Sequence, residues 1–503
     1  MKTKKKKDLA TNFFCTFFRK LKKRNQNLVR FFERKSEKSH YYTVHGSNAL
    51  FIGEEYYRTL ETVKKMGPKG KELDSVMVSS QMFASILRDL LLVKRFRVHV
   101  YNNPGTTQSE WKIIKRGSPG NVRDFEEILF TGASCDSSNL GVWIDSPSII
   151  MAIHLIHEQE TTKIGVAFCD STLHTIGLTS IEDNSQLTTL ESICVQMGAR
   201  ECLILAKNQI GKMLNYSYKK ATEVLQRCGV ILTERTKKEF PNKINTTDLE
   251  KDLSVVITNN QSSKNKDQNS NKFSLLQIFE KHSLSLPAVN TLVSYLGLLD
   301  DEQNFGTFRI STFDPMLKMR IDSTAFEALN LFPSREEHFS QSKNQFFTND
   351  QDLRGSSLIG LLNRCCSKIG SRKLSLWIKQ PSIQLEEIMK RHLIVESFVK
   401  DNDLRITCRD IHLHNFPDIP RINNKFQRGT ATLPDVIRML HVTQEIIELI
   451  QTFTNSELNT EENENENESK IEITEENENQ DNKGNFDTIK NRYIEPLIKI
   501  INS

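Results

Sequence analysis

Apolar residues recur along this chain with two different spacings, and the spacing changes with position. Over 49–65, Leu50, Tyr56, Leu60 and Val63 return near a 3.6-residue period, which predicts a helix that Gly67-Pro68 stops. Residues 76–78 read as a short strand and 83–92 as a helix. Residues 96–101 read as a strand on the alternation of Phe96, Val98 and Val100, with a turn over 102–107. Residues 28–134 thus form one predicted α/β domain. A second spans 147–258: strands at 149–157, 164–169 and 174–179, then helix 187–196, strand 202–205, helix 216–227 and strand 230–233. Strands first, then alternating helix and strand, predict a mixed sheet covered by helices.

Beyond this the pattern changes. Residues 259–272 are polar, rich in Asn, Ser and Lys, and read as a linker. From 273 to 454 the chain reads as mostly helical, with helix periodicity at 286–300, 321–330, 357–365, 371–378, 383–401 and 433–451, and an exposed loop at 344–354. Residues 455–484 are a Glu/Asn low-complexity insert with too little apolar surface to bury a core. An amphipathic pattern resumes at 486–501, so 485–503 reads as the start of another helix. The predicted fold class is multidomain: two α/β domains followed by an all-α region.

Charge changes the picture at both ends. A net charge of +5 hides thirteen Lys or Arg in residues 1–35, against Asp8 and Glu33, and eleven acids in 455–482, against Lys470. A basic head suits a polyanionic partner or an import signal, and an acidic tract repels nucleic acid; a solvated tail explains each equally well. Residues 1–27 are read as a basic disordered extension. Lys4–Lys7 and Lys20–Arg24 have the layout of a two-part nuclear-import signal. The scarcity of acids also allows a mitochondrial presequence, against which the dominance of Lys over Arg argues. Thr11 to Phe18 loosely echoes a sliding-clamp-binding box, with its terminal Phe-Phe but without its Gln.

No apolar run approaches the roughly 20 residues a membrane span needs, so no membrane partner is expected. Nine cysteines form no C-x-x-C pair, which suits a reducing compartment. His154/His157 and His412/His414 have no third and fourth ligand nearby in sequence and read as packing or surface histidines.

Particular strings carry a resemblance. Val29-Arg30-Phe31-Phe32-Glu33-Arg34, then His40-Tyr41-Tyr42-Thr43-Val44-His45-Gly46, resemble the opening of the mismatch-binding domain of the MutS family of DNA mismatch-repair proteins. Asp89-Leu90-Leu91-Leu92-Val93-Lys94-Arg95-Phe96-Arg97-Val98 and Ser118-Pro119-Gly120-Asn121 continue it. Ile164-Gly165-Val166-Ala167-Phe168-Cys169-Asp170-Ser171 and Gly229-Val230-Ile231-Leu232-Thr233-Glu234-Arg235 resemble the family's connector. Asn304-Phe305-Gly306, Thr312-Phe313-Asp314, Ala328-Leu329-Asn330-Leu331-Phe332, Trp377-Ile378-Lys379-Gln380-Pro381 and Lys425-Phe426-Gln427-Arg428 resemble its core and lever. The matches span about 28–451 in order. They are most similar to the eukaryotic branch called MutS homologue two, the subunit shared by the MutS-alpha and MutS-beta heterodimers, and cover its N-terminal half.

The resemblance implies a mismatch-binding domain at 28–134, a ribonuclease-H-like connector at 147–258, and an incomplete core/lever domain at 273–454. It implies mismatched double-stranded DNA, a mismatch-reading MutS subunit and, at the connector, a MutL-type protein as partners, in the nucleus. The family's Phe-x-Glu wedge stacks on a mispaired base and hydrogen-bonds it. Here Tyr41-Tyr42-Thr43 stands in that place, so the carboxylate is missing, as in homologue two. Tyr41, Tyr42 and Thr43 become candidate DNA contacts, or core residues of the domain; Lys64, Lys65, Lys69 and Lys71 are candidate phosphate contacts, or a solvated face. The Phe31-Phe32-Glu33 string lies ten residues early, in the expected first strand, and reads as a coincidence. Full-length members need ATP and magnesium. This chain contains no G-x-x-x-x-G-K-[ST] loop, so no cofactor site and no ATPase activity are expected in it, and the family's clamp domain is not recognisable. A nuclease reading of Asp170 with Glu191, Glu201 and Glu234 requires these carboxylates to converge. A different reading of the chain is an adaptor or decoy that binds repair partners without gripping DNA.

Overall fold

A computed structural model of the chain describes residues 27–36, 39–67, 72–103, 111–130, 148–158, 161–209, 215–241, 245–257, 277–333, 357–414 and 416–468, with single positions 14, 17, 18 and 275. The chain divides into two compact units, 1–313 with 322–356, and 314–321 with 357–503.

The first unit holds two six-stranded sheets. In the first, strands β1 (Leu28–Ser36), β2 (Ser39–His45), β3 (Lys64–Met66), β4 (Leu73–Ser79), β5 (Arg97–Asn102) and β6 (Lys112–Gly117) lie in the order β3-β4-β2-β1-β5-β6. Period-two alternation sends Val29 and Phe31 of β1, Tyr42 and Val44 of β2, and Val98 and Val100 of β5 to one face. There they meet helix α1 (Ser47–Ile52) through Ala49 and Ile52, and helix α2 (Ser80–Arg88) through Phe83, Ile86 and Leu87. Ser79 starts α2 by accepting the Met82 N–H at 3.3 Å, supplying one of the bonds a helix start lacks. The helix predicted over 49–65 is shorter. It ends at Arg58, whose φ of 55° is left-handed, and Lys64–Met66 instead pairs antiparallel with β4. The periodicity of Leu60 and Val63 did not encode this, because the pairing partner lies beyond Gly67.

The second sheet has the order β11-β10-β7-β8-β9-β12, built from β7 (Ile149–Glu158), β8 (Thr161–Asp170), β9 (Thr175–Asp183), β10 (Ala199–Leu205), β11 (Ile231–Arg235) and β12 (Arg309–Thr312). Strands β7 to β9 form the predicted antiparallel meander, and β10, β11 and β12 join in parallel. Both faces are covered, so β8 reads as a nearly continuous apolar run. Ile164, Val166 and Phe168 meet helices α4 (Thr188–Met197) and α5 (Asn215–Arg227). Ala167 and Cys169 meet α6 (Thr246–Val256) and α7 (Leu286–Leu296). Gly165 permits the close approach of the turn before α7, since a Cβ there would stand 1.9 Å from the Leu284 carbonyl oxygen.

This corrects the expected domain boundaries. Helix α7 and strand β12 were assigned to a helical region beginning at 273, but they complete the second sheet. Periodicity shows that α7 has an apolar side; it cannot show what that side covers. The expected linker 259–272 lies outside the described residues, as does the loop 344–354. Helix α3 (Glu126–Phe130) closes the first sheet and α8 (Ser323–Ala328) packs by α4, its start capped by Asp322.

The second unit is helical, as expected: α9 (Leu358–Leu362), α10 (Lys368–Lys379), α11 (Leu385–Lys400), α12 (Asn402–Ile406), α13 (Ile419–Gln427) and α14 (Leu433–Glu468). Ser357, Ser367 and Asp401 cap α9, α10 and α12. A wide helical turn, Thr407–His412, follows α12. Arg372 holds Asp418 through two hydrogen bonds of 2.7 and 2.6 Å, tying α10 to the start of α13. Helix α14 runs on to Glu468, so the acidic insert expected from 455 begins as helix; its remainder and the helix expected at 486–501 lie outside the described residues. No helix is long and apolar enough to cross a membrane among the described residues.

Candidate nucleic-acid interface

The β1–β2 hairpin sets the geometry of the expected wedge. Its register places Tyr41 opposite Arg34, Tyr42 opposite Glu33 and Thr43 opposite Phe32. Tyr42 faces the domain core and stacks on Phe83 at 3.8 Å between ring centroids. Burial, and then Glu33, push its hydroxyl up to about 12. Thr43 points to the opposite face and is also buried. Its hydroxyl lies 3.0 Å from His45 Nε2, accepts from Arg34 Nε at 3.4 Å and donates to the Phe32 carbonyl at 3.4 Å. Neither side chain is available to a base, which corrects the assignment of Tyr42 and Thr43 as DNA contacts. Tyr41 alone of the three is half-exposed.

Thr43 is buried because an N-terminal segment covers this second face. Phe14 sits against Phe32 edge-on at 5.0 Å, His45 at 4.6 Å and Trp111 at 5.4 Å. Phe18 meets Phe32 and His45, and Phe17 meets Tyr101. The Arg34 guanidinium lies over the rings of Trp111 at 4.5 Å and Phe14 at 4.8 Å. Gly46, with φ 66°, leaves room for Phe18; a Cβ would approach its ring to 3.1 Å. The aromatic residues that loosely echo a clamp-binding box therefore serve as a plug on the sheet. The reading of residues 1–27 as a wholly disordered tail is corrected at Phe14, Phe17 and Phe18.

Cations collect farther along the same face. Arg30 of β1 is in register with His99 of β5, which pairs with Arg116 of β6, and Arg97 stands two residues before His99. Neighbouring strands lie about 4.8 Å apart, so this row of three spans about 10 Å. Each arginine stands opposite His99, which is uncharged at neutral pH, so the two guanidinium groups are separated by one strand. The row escaped sequence reading because it exists only through strand register. Lys64 and Lys65 lie on the edge strand β3, exposed, with Lys65 Nζ 3.9 Å from Glu72. Lys64 aligns with Ser75 of β4 and Tyr41 with Ser79, a separation of about 14 Å along the strand. The sequence-predicted contacts thus do not form one patch. Lys69 and Lys71 lie outside the described residues.

The two histidines of this face make an acid-sensitive pair. Burial, and then Arg34, lower His45 to about 3; burial, and then Arg116, Arg30 and Arg97, lower His99 to about 4. An unfolded histidine titrates near 6.5, so below that pH the unfolded chain binds protons that the folded chain refuses. Stability conferred by these groups is present above about 6.5 and falls as pH drops toward the folded values. Urea denaturation should show a lower midpoint at pH 5 than at pH 7, with a smaller gap in His99→Gln. Equal midpoints would exclude this linkage.

In the second sheet the carboxylates of the nuclease reading do not converge. Asp170 Oδ1 accepts the backbone N–H groups of Thr172 and Leu173, closing the turn after β8. Glu191 accepts from Arg227 at 2.6 Å and from the Ser323 hydroxyl at 2.5 Å. Glu201, fully buried, joins the two sheets. It accepts from Ser118 of the first sheet's closing loop, from Thr233 at 2.5 Å and from Tyr295 at 2.9 Å, with Arg97 of β5 at 3.5 Å. Alternation also separates the acids: Leu203 shares Glu201's face and meets the core containing Cys169, whereas Asp170, next to Cys169, points to the other side.

Three family profiles match the chain in order: MutS domain I at 13–126, MutS domain II at 148–309 and MutS domain III at 324–498. The first begins beside Phe14 and the second reaches β12, consistent with both having structural places in their sheets. DNA mismatch repair protein msh-2 of Neurospora crassa is 30% identical over 441 residues, 87% of this chain and 42% of its own length. DNA mismatch repair protein MSH2 of Arabidopsis thaliana is 33% identical, covering 86% of this chain and 41% of its own, and that of Saccharomyces cerevisiae is 31% identical, covering 83% and 41%. The chain spans about two fifths of the length of these curated relatives.

Proposed function

The chain belongs to the MutS family of DNA mismatch-repair proteins, and from that premise we propose that it is a DNA-gripping, non-reading subunit that binds mismatched duplex as a heterodimer with a mismatch-reading MutS partner. The observation that carries this is Thr43, which stands where the family's wedge has its carboxylate and has its hydroxyl engaged with Arg34, His45 and Phe32. A subunit without a wedge acid grips duplex through phosphates, which position without specifying. Arg30 and Arg116, which flank His99, and exposed Lys64 and Lys65 supply cations for this, and Tyr41 is the one wedge-site ring left to line the groove. The same proposal includes a nuclear location and a MutL-type contact at the second sheet, both resting on the resemblance to MutS homologue two. Lacking a phosphate-binding loop string, the 503-residue chain hydrolyses no ATP and takes neither ATP nor magnesium.

The test compares the chain alone, and with a mismatch-reading partner, on matched and G·T-mismatched duplexes across salt. Alone, it should bind both duplexes weakly and equally, with affinity falling steeply with salt. Preference for the mismatch should appear only with the partner. Mismatch preference by the chain alone would sink the non-reading assignment. ATP turnover by the purified chain would overturn the second part. No duplex binding even at low salt, with partner still captured, would favour the adaptor reading.

A further inference from the structure

A cluster in the helical unit has no part in this function. His412 ends the turn Thr407–His412 and is buried, its side chain 6% exposed. Its Nδ1 lies 3.1 Å from Glu445 Oε2 and its Nε2 lies 3.1 Å from Thr452 Oγ1. Thr452 donates its only hydroxyl proton to the Glu448 carbonyl at 2.9 Å. Its oxygen then accepts from His412 Nε2. Nδ1 faces the Glu445 carboxylate, a position filled either by a proton, which makes an ion pair, or by a metal ion that displaces that proton.

Glu448 supplies a third donor. It stands one helical turn from Glu445 on α14, and ligand atoms of His412, Glu445 and Glu448 all lie within 4.8 Å of one another. Around a tetrahedral ion with bonds of about 2.1 Å, ligand atoms sit about 3.4 Å apart. The Glu448 side chain is exposed and that of Glu445 is 39% exposed, so both can turn inward by that amount, leaving a fourth position open to water. The buried imidazole is already oriented by Thr452, the outer-shell hydrogen bond that metal-binding histidines use.

We propose that His412 Nδ1, Glu445 and Glu448 form a site for a divalent transition-metal ion of the zinc class, which clips the Thr407–His412 turn to helix α14. An imidazole nitrogen with two carboxylates selects such an ion over calcium or magnesium, which take oxygen donors. Nearby, Phe398 of α11 also meets Phe453 of α14, edge-on at 6.2 Å. Sequence gave no sign of it, because His412 and Glu445 lie 33 residues apart.

The test uses the full chain, stripped with a chelator and titrated with Zn2+, with Co2+ as the spectroscopic probe. Cys365→Ser with Cys366→Ser removes the adjacent thiol pair of the helical unit, one exposed and one half-buried. In that background one equivalent of Zn2+ should bind and raise the melting temperature, and Co2+ should give visible bands without thiolate charge transfer. Glu448→Gln alters an exposed side chain and should leave the fold intact while weakening binding at least tenfold. Thr452→Val should weaken it about 10- to 100-fold through the lost outer-shell bond. Binding that is undiminished by Glu448→Gln and Glu445→Gln, or that vanishes with the two cysteines, would overturn the site.

Discussion

Glu201→Ala should destabilise the two-sheet unit by about 3–5 kcal/mol, the range for breaking a buried charge network by removing one partner. The carboxylate is fully buried and accepts from Ser118, Thr233 and Tyr295, with Arg97 at 3.5 Å. Alanine leaves three hydroxyls without their acceptor and a guanidinium without its counter-charge, and each unsatisfied buried group carries its own desolvation cost. Ser118 and Arg97 come from the first sheet and its closing loop, Thr233 from the second, so the loss also falls on the junction between the sheets. Urea denaturation should show a lower midpoint, with the two sheets melting in separate steps. Glu201→Gln, which keeps an acceptor oxygen, should lose less. A loss under about 1 kcal/mol for alanine, typical of a surface pair, would mean the network does not hold the sheets together.

Phe14→Ala should cost about 3–5 kcal/mol, as for other buried phenylalanines cut to alanine. The ring is 3% exposed and touches Phe32, His45, Trp111 and the Arg34 guanidinium. Its removal opens the second face of the first sheet. Two local signals should follow: Trp111 emission should shift to the red as water reaches the indole, and His45, held near 3 mainly by burial, should titrate closer to an ordinary histidine. A variant with unchanged stability and an unchanged His45 titration would show that the plug is not seated on the sheet.

The meander at Ile149–Glu158, Thr161–Asp170 and Thr175–Asp183 was legible because long apolar runs bounded by turn residues have few other uses. Helices α9, α10, α11 and α14 of the second unit were legible from their period; the short α12 and α13 were not. Residues 49–65 misled because period constrains a segment's own faces, while Lys64–Met66 becomes a strand through pairing with β4. In the candidate interface, the missing acid at Thr43 was plain from the residues, but the burial of Thr43 was not. A half-buried sheet exposes alternate residues; around Thr43 this one does not, because Phe14, Phe17 and Phe18 cover it from a segment whose charge reads as a tail.

By itself the sequence determined the family, the order of two α/β domains before a helical region, and the absence of a carboxylate at the wedge position. These depend on residue identity and local period, which one chain carries without reference to its fold. Tertiary structure alone decided that Tyr42 and Thr43 face inward, that Arg30, His99 and Arg116 form a row, that Glu201 joins two sheets and that His412 meets Glu445 and Glu448. Each of these depends on register or on packing between segments distant in sequence. Such pairings are selected by the free energy of the whole fold, and no local pattern records them.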